Sequence, residues 1–311
     1  MVNPSLNQSP FDRRARPADA EIREWRSPDG WVHRRLDWPQ PAGANIRGTL
    51  LFASGRGDFI EKYLEAAAHW HAQGWAVTMF DWRGQGGSRG PNSTGHLDSF
   101  EPLVDDLSAL VAELKQGPGP HVAVAHSMGG HVLVRALAEK RVALDAAILI
   151  APMLGINSGP LPPWAAAWTA AAMATGWWRR TPVWGKAPRA TRQKALTSSS
   201  QRYSDEQWWW KKEPGFRLVA PSWGWLDAAY RSCARLTDEA LRGISTPLLI
   251  VATETDRLVS AAAIRHAAET VPGARLKMFA DAGHEILREA DTVRLEALAE
   301  IDSFLDSQAP R

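Results

Sequence analysis

The stretch His121-Val-Ala-Val-Ala-His-Ser-Met-Gly-Gly130 decides the fold that this sequence predicts. Its alternating β-branched residues indicate a buried strand that ends at Ser127, and the apolar spacing of residues 128–140 indicates a helix. A serine at such a corner has the geometry of a nucleophile elbow, which needs small residues two positions to either side. Ala125 and Gly129 meet that need. By itself this A-x-S-x-G pattern also fits an ordinary turn with a helix-capping serine. Residues later in the chain are needed to distinguish this turn from a nucleophile elbow.

The composition is that of a globular protein with enough length for one large core. The chain has 311 residues, of which 45% are hydrophobic and 23% charged, and its formal net charge of +2 gives no general affinity for nucleic acid. The single cysteine, Cys233, excludes an intramolecular disulfide, so we expect a reducing, cytoplasmic location. The polar first twenty residues lack the apolar core of a secretory signal. The longest unbroken uncharged piece, residues 164–178, is too short to span a bilayer.

Apolar strands alternate with helices over most of the chain. After a leader predicted to be disordered, residues 1–20, we expect a β-hairpin around the turn Ser27-Pro-Asp-Gly30 and a core formed by residues 21–151 and 236–311. This pattern predicts an α/β fold with a doubly wound, mostly parallel sheet, opened by the antiparallel hairpin and interrupted by an inserted helical lid. The predicted strands are 46–54, 75–82, 121–126, 144–150, 248–253 and 275–280, and the predicted helices are 61–73, 100–115, 128–140, 261–270 and 293–305.

Two late loops supply the partners that a serine nucleophile needs. A serine hydroxyl requires a base to take its proton, and the base requires an orienting carboxylate. Asp256 follows one late predicted strand and His284 follows the last one, so both are expected at the sheet edge that carries Ser127. Glu254 remains open as the acid, and Asp256 could instead cap the next helix. His126 adjoins the serine, but neighbours along a strand point to opposite faces.

Acyl transfer also needs N–H donors for the oxyanion. One candidate is the main-chain N–H of Met128, at a helix N-terminus. The second is the N–H of Arg56, although Gly55-Arg-Gly57 could equally be a flexible turn. The sequence has neither a phosphate-binding glycine motif after these strands nor a metal-binding cluster, so we expect no cofactor and no metal.

Several segments resemble the α/β-hydrolases of the lysophospholipase and monoacylglycerol lipase group, which are serine aminopeptidase S33-like. They are Ala125-His-Ser-Met-Gly-Gly130, Asp81-Trp-Arg-Gly-Gln-Gly-Gly-Ser88, Glu254-Thr-Asp-Arg-Leu-Val259 and Ala282-Gly-His-Glu285. Residues 55–63 resemble the oxyanion loop of the bacterial lysophospholipase branch. By position, the resemblance implies Ser127 as nucleophile, Asp256 as acid, His284 as base, and Arg56 and Met128 as backbone donors. It extends from about residue 22 to the C-terminus but is thin across the insertion.

Two positions depart from this group. Ala125 replaces the usual glycine and adds a methyl group at a crowded corner. Ser54 stands where monoacylglycerol lipases carry the histidine of their HG motif, which disfavours that substrate.

The insertion, residues 152–235, is rich in tryptophan and in positive charge. It holds ten of the sixteen tryptophans, and its twelve Lys or Arg against four Asp or Glu give a local balance of +8. We expect at least half of these tryptophans to pack the lid onto the core. The others, with Trp164 and Trp168 as candidates, would line an acyl-chain tunnel. Since Trp and Arg are common at membrane interfaces, the lid is also expected to contact anionic lipid surfaces, at the inner face of the membrane.

The sequence therefore predicts a serine hydrolase that cleaves a fatty-acyl ester through an acyl-enzyme. A lysophospholipase is the first expectation, and a monoacylglycerol lipase or broad carboxylesterase is the alternative. An S33-type aminopeptidase or amidase would need acidic groups in the lid to bind a substrate ammonium, and the lid has few. A non-enzymatic binding protein would be expected to lose a triad residue, and none is missing. The oligomeric state stays open.

Overall fold

One eight-stranded sheet organises the molecule, in the strand order β1-β2-β4-β3-β5-β6-β7-β8. The computed structural model describes residues 11–41, 46–90, 94–185 and 189–310. The strands are β1 (Glu21–Arg26), β2 (Val32–Trp38), β3 (Gly48–Ala53), β4 (Trp75–Phe80), β5 (His121–His126), β6 (Ala146–Ile150), β7 (Leu248–Thr253) and β8 (Arg275–Phe279). β1, β2 and β4 pair antiparallel, and every other neighbouring pair is parallel. The predicted doubly wound sheet with its opening hairpin is confirmed.

Helices cover both faces of the sheet, which is why the central strands are apolar throughout. The helices are α1 (Leu64–His71), α2 (Glu101–Leu114), α3 (Met128–Ala138), α4 (Pro163–Met173), α5 (Arg189–Leu196), α6 (Ser200–Lys212), α7 (Trp223–Cys233), α8 (Asp238–Arg242), α9 (Ala261–Thr270) and α10 (Asp291–Gln308). Along β3, Leu50 and Phe52 face the core beneath α1 and α10, whereas Leu51 and Ala53 face the core beneath α2, α3 and α9. The period-two alternation of a strand thus supplies both cores from one segment.

The helix predicted over residues 61–73 is shorter in the structure. Ile60–Tyr63 forms a 3₁₀ turn, and α1 begins only at Leu64 because the Tyr63 backbone (φ −119°, ψ 13°) leaves the α region. The Ile60 N–H donates to Asp81 Oδ1 at 2.8 Å. The turn carries the Lys62 side chain into the interior below the sheet edge.

Helices α4 to α7 lie between β6 and β7 and form the inserted segment. The segment is anchored by two buried tryptophans: Trp225 of α7 belongs to the main core, and Trp209 of α6 packs with Phe59 and Phe216. Five of its ten tryptophans are exposed instead. No helix in the described part of the chain is long and apolar enough to cross a membrane.

Residues 11–20 differ from the predicted disordered leader, whose first ten residues lie outside the described ranges. Arg13 and Arg14 form ion pairs with Asp205 at 2.6 and 2.7 Å, and the Trp209 Nε1–H donates to the Arg13 carbonyl at 2.9 Å. Arg16 pairs with buried Glu61 at 2.6 Å. Because four polar contacts hold this segment against α6 and the 3₁₀ turn, it has a fixed course.

Candidate active site

Ser127 lies at the corner between β5 and α3, in a backbone conformation that few residues other than glycine adopt. Its φ is +52° and its ψ is −114°. The corner presses against the end of β3. A Cβ atom on Gly129 would lie 2.4 Å from the Ala53 carbonyl oxygen and 2.5 Å from that of Ser54. The small residue that the motif requires is therefore imposed by contact with the neighbouring strand.

The structure brings Ser127, His284 and Asp256 into one hydrogen-bonded chain. His284 Nε2 lies 2.8 Å from Ser127 Oγ, and its Nδ1 lies 2.7 Å from Asp256 Oδ2. The other oxygen, Asp256 Oδ1, accepts the main-chain N–H groups of Leu258 and Val259. All three side chains follow the carboxyl ends of parallel strands, so the topology alone places them at one edge.

The surroundings of His284 and Asp256 shift the pKa values of these two residues in opposite directions. Burial lowers the pKa of His284, but the charge and hydrogen bond of Asp256, with Glu285 and Asp58, outweigh it and hold that pKa above the ordinary 6.5. Burial raises the pKa of Asp256, yet the imidazole and the two N–H donors bring it below its ordinary 3.8. Asp256 is thus an anion that stabilises a proton on His284.

Glu254, the alternative acid, lies elsewhere. It is exposed and forms an ion pair with Arg265, whereas Asp256 is buried and contacts His284.

The two expected oxyanion donors are main-chain N–H groups without a hydrogen-bond partner among the described residues. Both glycines beside Arg56 use their N–H groups: Gly55 donates to Asp58 Oδ2 at 2.8 Å and Gly57 to Gln85 Oε1 at 2.5 Å. The N–H groups of Arg56 and Met128 donate to no described atom. Met128 directly follows Ser127, and Arg56 directly follows Gly55, on which a Cβ atom would lie 3.0 Å from Ser127 Cβ.

The glycine-rich loop after β4 supports the segment Gly55-Arg-Gly57, the expected oxyanion loop, and the sequence does not reveal this support. Besides Gln85, the loop contributes Trp82, whose Nε1–H donates to the Ser54 carbonyl at 2.7 Å. Asp81 accepts the N–H groups of Ile60 at 2.8 Å and Gly87 at 2.7 Å. A side chain at Gly86 would collide with Asp81 at 2.4 Å, which explains the glycine there.

His126 points away from the nucleophile, as the strand alternation predicts, but it contacts the site from below. Its Nε2 lies 3.2 Å from the His284 carbonyl oxygen, to which it can donate. Its Nδ1 lies 3.1 Å from Asp58 Oδ2 and 3.0 Å from the Tyr63 hydroxyl. Asp58 also holds Gly55, so this imidazole connects the oxyanion loop to the loop of the candidate base.

A buried ion cluster lies beneath these contacts and escapes sequence reasoning. Lys62 Nζ lies 2.5 Å from both Asp58 Oδ1 and Glu285 Oε1, and 3.4 Å from Glu206 Oε1. Burial raises the pKa of Glu285, but Lys62 and Arg288 overcome it and lower that pKa to about 2. Glu285 directly follows His284, so the cluster fixes the main chain of that loop. Its only sequence signal is the acidic residue next to the histidine.

Trp164 and Trp168 are not part of this constellation. Their side chains are 69% and 74% exposed, and α4 buries only small residues, Ala166 and Ala170, against the rest of the protein. Exposed side chains cannot enclose an acyl chain, so these two residues do not form the expected tunnel. Helix α4 is apolar on all sides, and composition alone does not tell which side is covered.

Comparison with known proteins identifies the relatives of this chain. A family model described as serine aminopeptidase, S33, matches residues 44–291. The lysophospholipase L2 of Escherichia coli strain K12 is 31% identical over 83% of this chain and 80% of its own length. The probable lysophospholipase L2 of Haemophilus influenzae is 28% identical over 89% of each chain.

Solved structures show the same fold at low identity. A soluble variant of the monoglyceride lipase of Saccharomyces cerevisiae, in complex with a substrate analogue, gives a TM-score of 0.79 at 19% identity. The superposition covers 97% of this chain and 99% of that one. The monoacylglycerol lipase of Paleococcus ferrophilus gives 0.70 at 18% identity, over 88% and 98%.

The buried ion cluster predicts a large loss of stability when its lysine is removed. In Lys62→Met, Asp58 and Glu285 stay buried without their shared cation, so we expect the free energy of unfolding at pH 7 to fall by about 3–5 kcal/mol. Denaturant unfolding measures it. Lys277→Met is the matched control, since its pair with Glu296 is a surface pair worth about 0–1 kcal/mol. Equal losses in both variants would contradict the cluster's importance.

Proposed function

The chain belongs to the serine aminopeptidase S33 family and is an ester-hydrolysing serine hydrolase of the lysophospholipase and monoacylglycerol lipase group; from this premise we propose that it is a lysophospholipase. Its Ser127, His284 and Asp256 act as nucleophile, base and acid. The observation that carries the proposal is the continuous hydrogen-bonded chain of these three side chains, near two main-chain N–H groups that donate to none of the described residues.

Acylation begins when His284 Nε2 takes the proton of Ser127 Oγ and the oxygen bonds to the ester carbonyl carbon. The negative charge that moves to the carbonyl oxygen is stabilised by the N–H groups of Arg56 and Met128. His284 then gives its proton to the leaving glycerol oxygen as the C–O bond breaks. Asp256 stabilises the imidazolium between these two transfers and fixes the ring orientation.

Deacylation repeats the sequence with water. His284 takes a proton from a water molecule as the water oxygen bonds to the acyl carbon. The N–H groups of Arg56 and Met128 again stabilise the negative charge on the carbonyl oxygen. The bond to Ser127 Oγ breaks, the serine recovers a proton from His284, and the fatty acid leaves.

The surroundings of the site favour a lysophospholipid over an amine-bearing substrate. A cavity beside Arg56 is lined by three arginines and by no carboxylate among the described residues. Such a wall attracts an anionic group and repels the ammonium that an aminopeptidase must bind. Relatives named lysophospholipase point the same way.

We further propose that an exposed aromatic face brings the enzyme to anionic membrane surfaces from the cytoplasmic side. We define this aromatic face by Leu161, Trp164, Trp168, Trp177 and Trp178, which lie on α4 or next to it in the chain and are each 43–74% exposed. Large apolar side chains so grouped mark interaction surfaces. The insertion that carries them has a charge balance of +8, which is complementary to anionic lipid headgroups.

Removing the proposed nucleophile should abolish turnover. We expect Ser127→Ala to lower kcat on a lysophospholipid by roughly 10⁴–10⁶-fold and to abolish labelling by a fluorophosphonate probe. Ser307→Ala, at an exposed helical position, should keep both. A Ser127→Ala protein that is folded by circular dichroism and retains a tenth of the activity would exclude this mechanism.

The raised pKa of His284 sets the acid limit of activity. The base must be neutral, so kcat/KM should fall as the pH drops through that pKa. Because the pKa lies above 6.5, half-maximal activity is expected above pH 6.5.

In Asp256→Asn, the rate of fluorophosphonate labelling should fall by roughly 10⁴-fold and its acid limit should move to lower pH. Glu254→Gln is the control and should shift neither, whereas an unshifted limit in Asp256→Asn speaks against the role of this carboxylate.

Vesicle sedimentation tests the aromatic face. The protein should bind anionic phosphatidylglycerol vesicles more strongly than neutral phosphatidylcholine vesicles, and added salt should weaken only the anionic part. The double variant Trp164→Ala/Trp168→Ala should lose about tenfold in affinity for both. Leu295→Ala, an exposed position on α10, is the control. Equal, salt-independent binding to both vesicle types would remove the electrostatic component, and full binding by the double variant would remove the aromatic one.

A further inference from the structure

An open cavity of about 530 Å³ lies between the oxyanion loop and two segments of the insertion. Its walls carry Arg56, Arg192 and Arg217, together with Trp184 and Leu218. No acidic residue lines it among the residues that the structure describes. The cavity thus combines positive charge with apolar surface.

Arg56 is the unusual member of this set, because two of its three guanidinium nitrogens are buried and no carboxylate of the described residues pairs with it. Its Nη1–H donates to the Val219 carbonyl at 3.1 Å, whereas Nε and Nη2 are buried with no described hydrogen-bond partner. The guanidinium carbon lies 5.0 Å from the centre of the Trp225 ring. Burial lowers its pKa to about 9, and no carboxylate acts against this. A buried cation with unused donors is costly unless an anion joins it.

The other two arginines differ in whether a carboxylate compensates their positive charge. Arg192 is neutralised by a two-pronged pair with Glu206, at 2.9 and 3.2 Å. Arg217 is exposed, stacks 5.3 Å from the centre of the Trp210 ring, and has no ion pair within the described ranges. Arg56 and Arg217 therefore provide two uncompensated positive charges on one cavity wall.

The position of the cavity connects it to the reaction centre. Arg56 directly follows Gly55, whose backbone is packed against Ser127. On the opposite side of the loop, a Cβ atom on Gly57 would lie 3.8 Å from Leu218 Cβ. A substrate whose ester carbonyl occupies the oxyanion donors thus has this cavity immediately beside it.

We infer that this cavity is a subsite for the phosphate group of the substrate headgroup, with Arg56 as its main ligand and Arg217 as the second. The inference rests on the proposed lysophospholipase function and names what selects the substrate. A guanidinium offers forked N–H donors that match two phosphate oxygens, and a phosphodiester supplies the missing counter-charge. An uncharged glycerol headgroup would leave Arg56 unpaired, so this site discriminates between phosphorylated and neutral monoacyl lipids.

The test compares two substrates with the same acyl chain in neutral detergent micelles, lysophosphatidylglycerol and monoacylglycerol. In Arg56→Met, the ratio of the two kcat/KM values should fall by about 10- to 100-fold in favour of monoacylglycerol, chiefly through KM. Since the ratio is taken within one variant, any effect on the oxyanion loop itself cancels. Arg217→Met should give a smaller fall of the same sign, and Arg56→Lys should recover part of the preference.

Three other results overturn the inference. An unchanged ratio in Arg56→Met would make the side chain a support of the loop. Arg56-dependent inhibition of monoacylglycerol hydrolysis by inorganic phosphate, with the substrate ratio unchanged, would make the cavity a site for free phosphate. If the wild-type enzyme cleaves neither lipid and takes no fluorophosphonate label, the proposed function itself fails and the subsite falls with it.

Discussion

The close packing of the β5–α3 corner against the end of β3 is the constraint on which the rest of the site depends. No space remains for a side chain at Gly129, where main-chain atoms of β3 and Ser54 lie, or at Gly55, where the side chains of Asp58, His126 and Ser127 lie. This contact brings the segment of Arg56 close to Ser127 and Met128, whose main-chain N–H, like that of Arg56, has no hydrogen-bond partner in the described part of the chain. A preformed pair of donors needs no reorganisation when charge develops on a substrate oxygen, and electrostatic preorganisation of this kind is usually the largest contribution to catalysis.

The buried charges below the site serve geometry more than stability. An ion pair removed from water gains little net free energy over an apolar replacement, but losing one partner leaves a charge stranded. Lys62 and Asp58 come from the connection between β3 and α1, and Glu285 comes from the loop after β8, so their contacts determine how these two loops sit against each other. His126 adds a second connection between the same loops, through Asp58 and the His284 carbonyl. The oxyanion loop and the loop of the proposed base are thereby held in one register.

The sheet and the convergence of three side chains can be predicted from the sequence. Contacts between residues that are far apart in the chain cannot. The alternating pattern finds the strands, and parallel topology then brings Ser127, Asp256 and His284 to one edge without any knowledge of packing. The Lys62–Glu285 contact joins residues 223 positions apart, and no periodicity encodes it. The same limit applies to His126. The alternation of side chains along β5 predicts which face of the sheet His126 occupies, but it does not predict the contact with Asp58 on that face. Trp164 illustrates a third case, since an apolar helix can be buried or exposed with the same composition.

Some aromatic residues of the insertion are buried and attach it to the core, whereas others are exposed. The exposed ones indicate where a substrate can approach. Buried Trp225 and Trp209 attach the segment to the core, and Trp225 also packs against the Arg56 guanidinium, which pairs with no acid among the described residues. Four of the five exposed tryptophans lie on α4 and the turn after it, which bury almost nothing. A monoacyl lipid combines a chain that leaves water readily with a headgroup that does not. A surface of exposed indoles suits the first property, and an unpaired guanidinium beside the oxyanion loop suits the second. One inserted segment therefore offers a surface for each end of such a molecule, beside the sheet edge that carries the proposed triad.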